Sequence, residues 1–261
     1  MFENVRYCVK SDIGLHRCDN EDYSLVVDSS CDCYNLKQLG VAFVIADGIG
    51  GHAAGEIASR MACEEVVSAY YCEEVQSAAS APADTHEGKV RKLEQATRSA
   101  HNKIVDEATK KGELRGMGTT LSALVLTENK ALIAHVGDSR IYRFRSNSLA
   151  RMTTDHTKSQ VLIDRGQILP DDESNLCCGH ILTQALGGYD DLEAVFTRVD
   201  DVQDKDLFLL CTDGLHDLVS DSEIQAILVK NLLPQSTCDE LVQAAIGKGG
   251  DDNITAIVVQ V

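Results

Sequence analysis

Five stretches of the chain are almost unbrokenly apolar and rich in β-branched residues: VAFVIA at 41–46, TTLSALVL at 119–126, ALIAHV at 131–136, DLFLLC at 206–211 and ITAIVV at 254–259. Runs of this length and composition predict strands. Because they show little alternation with polar residues, both faces of each strand must be covered. Turns such as TENK at 127–130 and GDSR at 137–140 separate them, rather than crossover helices. Successive strands joined in this way are expected to be antiparallel. A second periodicity appears between the strands. Ala54, Ile57, Ala58, Met61, Ala62, Val66 and Ala69 recur at helical spacing, and so do Val90, Leu93, Thr97, Ala100 and Ile104. These predict two amphipathic helices, joined through a loop at 76–88 and packed antiparallel side by side. Two further helices are expected near 221–230 and 236–247. The pattern as a whole predicts an α+β sandwich, with helices outside antiparallel sheets.

Composition narrows this picture. No Pro-, Ser- or Gly-rich linker divides the 261 residues, so 1–261 reads as a single domain. The opening MFENVRYCVK lacks the apolar segment of a secretory leader, and no window reaches the roughly 18 apolar residues of a membrane span. A cytoplasmic location is expected, with the ten cysteines as reduced thiols. Cys63 and Cys211 fall in apolar runs and read as core residues. Cys31 and Cys33, or Cys177 and Cys178, would need a second pair to make a structural zinc site. The formal charge of −17, from 41 acidic and 24 basic residues, argues against nucleic acid or an anionic membrane as partner.

Most of these carboxylates serve solubility, but four stand where solubility does not explain them. VAFVIA runs into Asp47-Gly48, LFLLCT into Asp213-Gly214 and LIAHVG into Asp138, while Asp252 stands just before ITAIVV. One aspartate beside a glycine is usually a turn residue. Four at the ends of core strands, if those ends converge, would repel one another unless a cation lay among them. An all-oxygen donor set without matching histidine or cysteine favours Mg²⁺ or Mn²⁺. Two such ions could clamp a phosphoryl group and activate a water between them. This chemistry alone does not separate a phosphatase from a nuclease.

Seven ordered motifs carry the reading further: RCDNED at 17–22, VIADGIGGH at 44–52, GMGTT at 116–120, HVGDSRIYR at 135–143, LTQALG at 182–187, CTDGLHD at 211–217 and DDNIT at 251–255. Together they closely resemble the bacterial branch of the metal-dependent, type-2C protein serine/threonine phosphatases (the PPM family), over nearly the whole chain. The resemblance implies a four-layer αββα sandwich, two antiparallel sheets flanked by antiparallel helices. It implies hydrolysis of phosphoserine and phosphothreonine on proteins by a metal-bridging hydroxide, without a phosphoenzyme. It further implies phosphoproteins as partners, a cognate serine/threonine kinase to be counteracted, and a monomer.

Residue by residue, the resemblance makes Asp47 the carboxylate bridging two Mn²⁺ or Mg²⁺ ions, with the Gly48 carbonyl on one of them. Asp213 and Asp252 match ligands of the second ion. Glu21 and Asp22 match an acidic pair acting on the first through waters, although without the resemblance a solvated strand edge is the better reading of both. Arg17 matches the arginine that grips the substrate phosphate, which a guanidinium does through two parallel bonds. Asp138 resembles a ligand of a weaker third metal shared with Asp213; a structural turn made by Asp138 and Arg140 is its rival. Asp217 fits a position orienting metal-bound water.

The chain also departs from the family. Ile49 stands where animal members carry a histidine, and isoleucine cannot transfer a proton. Leaving-group protonation then falls to water, with His52 as the lesser candidate and a loop-holding role as its main reading. A flap is expected at about 156–180. Its helical part KSQVLIDRGQI resembles bacterial relatives, whereas PDDESNLCCGH does not follow their pattern. Redox sensitivity of Cys177 and Cys178 is a minor reading beside two inert thiols. The rival function is a weak or inactive phosphoprotein-binding module of the same fold, but Asp47, Asp213 and Asp252 are all retained.

Overall fold

A computed structural model of the chain describes residues 5–50, 53–72, 85–169, 181–188, 191–230 and 232–261. The predicted strands form, and the longest of them outrun their apolar cores. The sheets comprise β1 (Arg6–Asp12), β2 (Asp22–Val27), β3 (Val41–Ile49), β4 (Gly118–Thr119), β5 (Leu121–Leu126), β6 (Lys130–Val136), β7 (Arg140–Arg145), β8 (Ser148–Arg151), β9 (Phe196–Asp201), β10 (Leu207–Cys211) and β11 (Ile254–Gln260). The helices are α1 (Leu36–Leu39), α2 (Ala53–Tyr71), α3 (His86–Lys110), α4 (Lys158–Asp164), α5 (Asp213–His216), α6 (Asp221–Leu228) and α7 (Pro234–Gly247).

One sheet has the order β1-β11-β10-β7-β8, the other β2-β3-β5-β6-β9 with β4 paired to β3, and every pairing is antiparallel. The continuous apolar runs have the expected cause, since alternate residues of one strand enter different cores. On β3, Val41, Phe43 and Ile45 face the space between the sheets, where they meet Phe208, Leu210, Ile257 and Val259. Ala42, Val44 and Ala46 face the opposite way, against Ala58, Ala62 and Val66 of α2 and Leu93 and Ala100 of α3. On β10, Leu207, Leu209 and Cys211 pack against Ile224 and Leu228 of α6 and Leu241 and Val242 of α7. The result is a four-layer αββα sandwich with three apolar interfaces. Cys63 and Cys211 lie fully inside it.

The turn at 137–140 departs from the expected hairpin. It carries the chain from β6 in one sheet to β7 in the other, with Gly137 at φ 102°. A crossover between sheets exposes Asp138 to whatever lies at their common end, which a hairpin within one sheet would not. The α3 helix also runs past its apolar stripe at both ends, and its start is capped by Thr85 Oγ1 accepting from Gly88 N at 3.1 Å.

Candidate active site

The ends of β3, β10 and the start of β11 converge with the loop preceding β2. They enclose a cleft of about 360 Å³ whose walls include Arg17, Glu21, Asp47, Gly48, Asp138, Asp213 and Asp252. Thus seven of the residues picked out in the sequence share one cleft. Asp217 lines an adjoining hollow with Arg17, Asp213 and Asp252. Asp22 sits behind the cleft, and His52 lies outside the described residues, as do 170–180 of the flap.

Asp47 is held by its backbone. Its N–H donates to Thr120 Oγ1 at 2.9 Å, and its carbonyl accepts from Thr120 N at 2.9 Å and Thr119 Oγ1 at 2.8 Å. The GMGTT motif is therefore a clamp on the strand end. Gly48 is required by close approach: a Cβ there would come 2.3 Å from the carbonyl oxygen of Gly55 on α2. Gly214 is required likewise, because its Cβ would lie 2.0 Å from the Asn253 carbonyl oxygen.

Asp22 stands directly opposite Asp47 in the β2–β3 register. Like charges facing across a ladder are destabilising, and here Asp22 is buried and Asp47 half-buried. One Asp22 oxygen accepts from Thr255 Oγ1 at 2.6 Å and Thr212 Oγ1 at 2.9 Å, tying one sheet to the other. Its other oxygen, and Asp213 Oδ1, are buried with no hydrogen-bond partner. Asp22 is thus no solvated strand edge; it is 8% exposed.

Burial pushes the Asp22 carboxyl up to about 7, with the charges of Asp213 and Asp252 adding to it and the threonine hydroxyls opposing. Burial likewise pushes Asp47 well above the carboxylate range, reinforced by Asp213, Asp22 and Asp138. Asp138 and Asp213 are raised for the same first reason, with their acidic neighbours adding to it. Asp47 and Asp213 face each other closely enough to share a proton. Arg17 Nη2 donates to Asp252 Oδ2 at 2.5 Å and is the nearest positive charge. Among the described residues, no three acidic, histidine or cysteine side chains stand as a ready-made ligand cluster.

Sequence reasoning missed Asn253, which organises the mouth. Its Oδ1 accepts from Glu21 N at 2.8 Å, and its Nδ2 donates to the carbonyls of Ile13 and Asp19, both at 3.0 Å. It lies inside the DDNIT motif, where its burial could not be read. Replacing Asn253 with alanine is expected to cost about 2–3 kcal/mol, since three backbone groups lose their partner, and to loosen Arg17 and Glu21. Urea denaturation together with KM for p-nitrophenyl phosphate would register both effects.

His216 was also missed. Its Nε2 lies 3.0 Å from the Asp138 carbonyl oxygen and its Nδ1 3.2 Å from Asp217 Oδ1, linking two acidic positions around the cleft. The charge of Arg140 acts on Asp138 across the 137–140 turn, while the hydrogen bonds of its guanidinium go elsewhere. It reaches Asp155 through Nε at 3.0 Å and Nη2 at 2.6 Å, fixing the chain just before the flap.

With this geometry in view, comparison with known proteins is informative. Residues 24–245 match the family model of protein phosphatase 2C. The chain is 34% identical over 260 residues to the serine/threonine protein phosphatase PstP of Mycobacterium tuberculosis, covering 98% of this chain and 45% of that protein's length. It is 32% identical to the protein phosphatase PhpP of Streptococcus pneumoniae, covering 95% of this chain and 94% of PhpP. The crystal structure of the PstP catalytic domain in complex with two manganese ions superposes with a TM-score of 0.76 at 32% identity, over 98% of this chain and 97% of that one. The chain belongs to the protein phosphatase 2C family, among its bacterial serine/threonine phosphatases.

Proposed function

We propose that the cleft hydrolyses phosphoserine and phosphothreonine on proteins, with two divalent cations held by Asp47, the Gly48 carbonyl, Asp213 and Asp252. The observation that carries this is the facing pair of a buried Asp22 and a half-buried Asp47 on the cleft wall, beside Asp213 with an unpartnered oxygen. A divalent cation among these carboxylates would compensate their repulsion. The donors are all oxygens, which fits Mn²⁺ or Mg²⁺. Glu21 and Asp22 would support the first ion through waters, and Asp138 with Asp213 would offer a weaker third site. When bound, the ions supply an activated water and neutralise charge gathering on the phosphoryl oxygens.

The chain's own residues do the rest. Arg17 binds and orients the phosphate through its guanidinium fork, leaving Asp252 to do so. Asp22, opposite Asp47 in the ladder, ties the end of β2 to the other sheet through its threonine partners. Asp217, held beside His216, orients water at the rim. Ile49 lines the cleft beside Gly48 and offers no proton, so the leaving alkoxide takes its proton from water. Cleavage is direct, with no phosphoenzyme, and Cys211 is buried in β10 away from the cleft.

We further propose that residues 1–261 act as a single catalytic domain and a monomer, opposing a serine/threonine kinase in the cytoplasm. The eight cysteines among the described residues are all thiols, which suits a reducing compartment. Among the described residues no helix is long and apolar enough to cross a membrane.

The arginine tests this reading. Arg17→Ala is expected to lower kcat/KM for p-nitrophenyl phosphate by about a hundredfold, mainly through KM, as charge-assisted bonds to phosphate are lost. Arg17→Lys should recover less than tenfold of that loss, because an ammonium cannot bond bidentately. Unchanged KM in both variants would remove Arg17 from phosphate binding.

A further inference from the structure

The cleft opens into a groove of about 390 Å³ lined, among the described residues, by Ile49, Gly116, Gly118, Ile181, Leu182, Ala185 and Gly188, none of which is charged. Ile49 and Leu182 line both the groove and the phosphate cleft, so the two are continuous. The opposite side of the cleft differs in character, with Asp213, Asp217, Asp251 and Asp252 around Arg17. Ile49 is 37% and Ile181 49% exposed, two large apolar side chains brought together from segments far apart in the chain. On a protein of net charge −17, a groove whose described lining carries no charge, beside an ionic cleft, is not explained by solubility.

The groove is anchored. Lys158 N donates to the Ile181 carbonyl at 2.8 Å, Leu182 bridges Thr157, and Leu186 bridges Thr119, which in turn clamps Asp47. Its walls are thus fixed to the same backbone that positions the catalytic carboxylate. Because the groove and the cleft share Ile49 and Leu182, and an extended peptide advances about 3.3–3.6 Å per residue, the groove lies within reach of a residue beside the phosphorylated one.

We propose that this groove is a specificity subsite taking an apolar side chain immediately flanking the phosphorylated serine or threonine. The proposal rests on the phosphatase reading and deepens it. Apolar pockets discriminate by about 10–200-fold, which sets the size of effect to look for.

The test compares p-nitrophenyl phosphate, which has no flanking residues, with phosphothreonine peptides carrying Leu, Ala, Lys or Glu on either side of the phosphothreonine, under Mn²⁺. The natural chain is expected to favour Leu over Ala and Glu by about tenfold or more in kcat/KM. Ile181→Glu should abolish that preference and improve the Lys peptide, while kcat/KM for p-nitrophenyl phosphate stays within about twofold. The half-exposed position makes a folded variant expected, checked by its thermal midpoint. A flat ranking by the natural chain, with p-nitrophenyl phosphate hydrolysed, would overturn the subsite alone. So would an equal loss on both kinds of substrate in Ile181→Glu, or a preference that this variant leaves untouched. Failure to hydrolyse p-nitrophenyl phosphate at all would instead remove the phosphatase reading, and the subsite with it.

Discussion

Asp213→Asn is expected to lower phosphatase turnover by about a thousandfold or more while raising the thermal midpoint of the chain measured in EDTA. The first effect follows from removing a carboxylate that would serve the metal centre, where several kcal/mol of charge stabilisation is at stake. The second follows from the surroundings. Asp213 lines the cleft among Asp22, Asp47, Asp217 and Asp252, with one oxygen buried and lacking any partner. Its ionised form costs the fold more than an amide would. These carboxyls have folded pKa values above their unfolded ones. Their contribution to stability is therefore fully present below about pH 4 and is lost as the pH rises; for Asp22 the loss is complete only past about 7. In EDTA the natural chain should melt lower at pH 8 than at pH 5, and Asp213→Asn should narrow that difference. Added Mn²⁺ should raise the midpoint of the natural chain more than that of the variant. A variant that keeps turnover, or that is destabilised in EDTA, would contradict the placement of Asp213 in a strained metal site.

The second large effect concerns stability. Asp155→Ala is expected to destabilise the chain by about 3–5 kcal/mol, because it leaves a largely covered guanidinium, 19% exposed, without its counter-charge. Asp155 is 7% exposed, and its carboxylate takes Arg140 in a fork and Arg151 at 3.3 Å. Arg140 also donates to Tyr142 Oη at 3.1 Å, which in turn donates to Asp221 at 2.8 Å. This network joins β7, the residues before the flap and α6. A loss of this size should lower the thermal midpoint by roughly ten degrees or more. Asp155→Asn, which keeps acceptor geometry on one oxygen, should lose less. The pH dependence here has the opposite sign to that of the cleft. Burial raises the Asp155 carboxyl, but the charge of Arg140 outweighs it and holds the group below its ordinary value. The stabilisation is present above the unfolded value near 4 and is lost as the pH falls through the lower folded value. A variant within about 1 kcal/mol of the natural chain in urea would show that the pair is structurally idle.

How much of this was legible in the sequence depended on burial. Strands β3, β5, β6, β10 and β11 are interior strands covered on both faces, and their apolar runs announced them. Strands β1, β8, β2 and β9 are the four edges of the two sheets. Edges carry charged and polar residues, such as Lys10, Arg151 and the pair Asp200 and Asp201, and these erase the pattern. The turn at 137–140 looked like a hairpin because turn residues do not say which sheet the next strand joins. At the site, Asp47, Asp138, Asp213 and Asp252 were readable because a carboxylate ending a core strand has few bland explanations. Asn253, His216 and Thr212 were not, since a polar side chain gives no sign in sequence of which distant backbone group it will meet. The burial of Asp22 was hidden for the same reason: its threonine partners belong to the other sheet. The groove beside the cleft was equally hidden, because Ile49 and Ile181 meet only in the fold.

The central claim, that this cleft is a divalent-metal phosphatase site, is tested most directly by phosphate release from a phosphothreonine peptide by the natural chain, with Mn²⁺ and with EDTA. The account predicts steady release with Mn²⁺ that stops in EDTA and returns when Mn²⁺ is restored. A folded preparation that binds the phosphopeptide and releases no phosphate with Mn²⁺ or Mg²⁺ would contradict it, and would leave a phosphoprotein-binding module in its place.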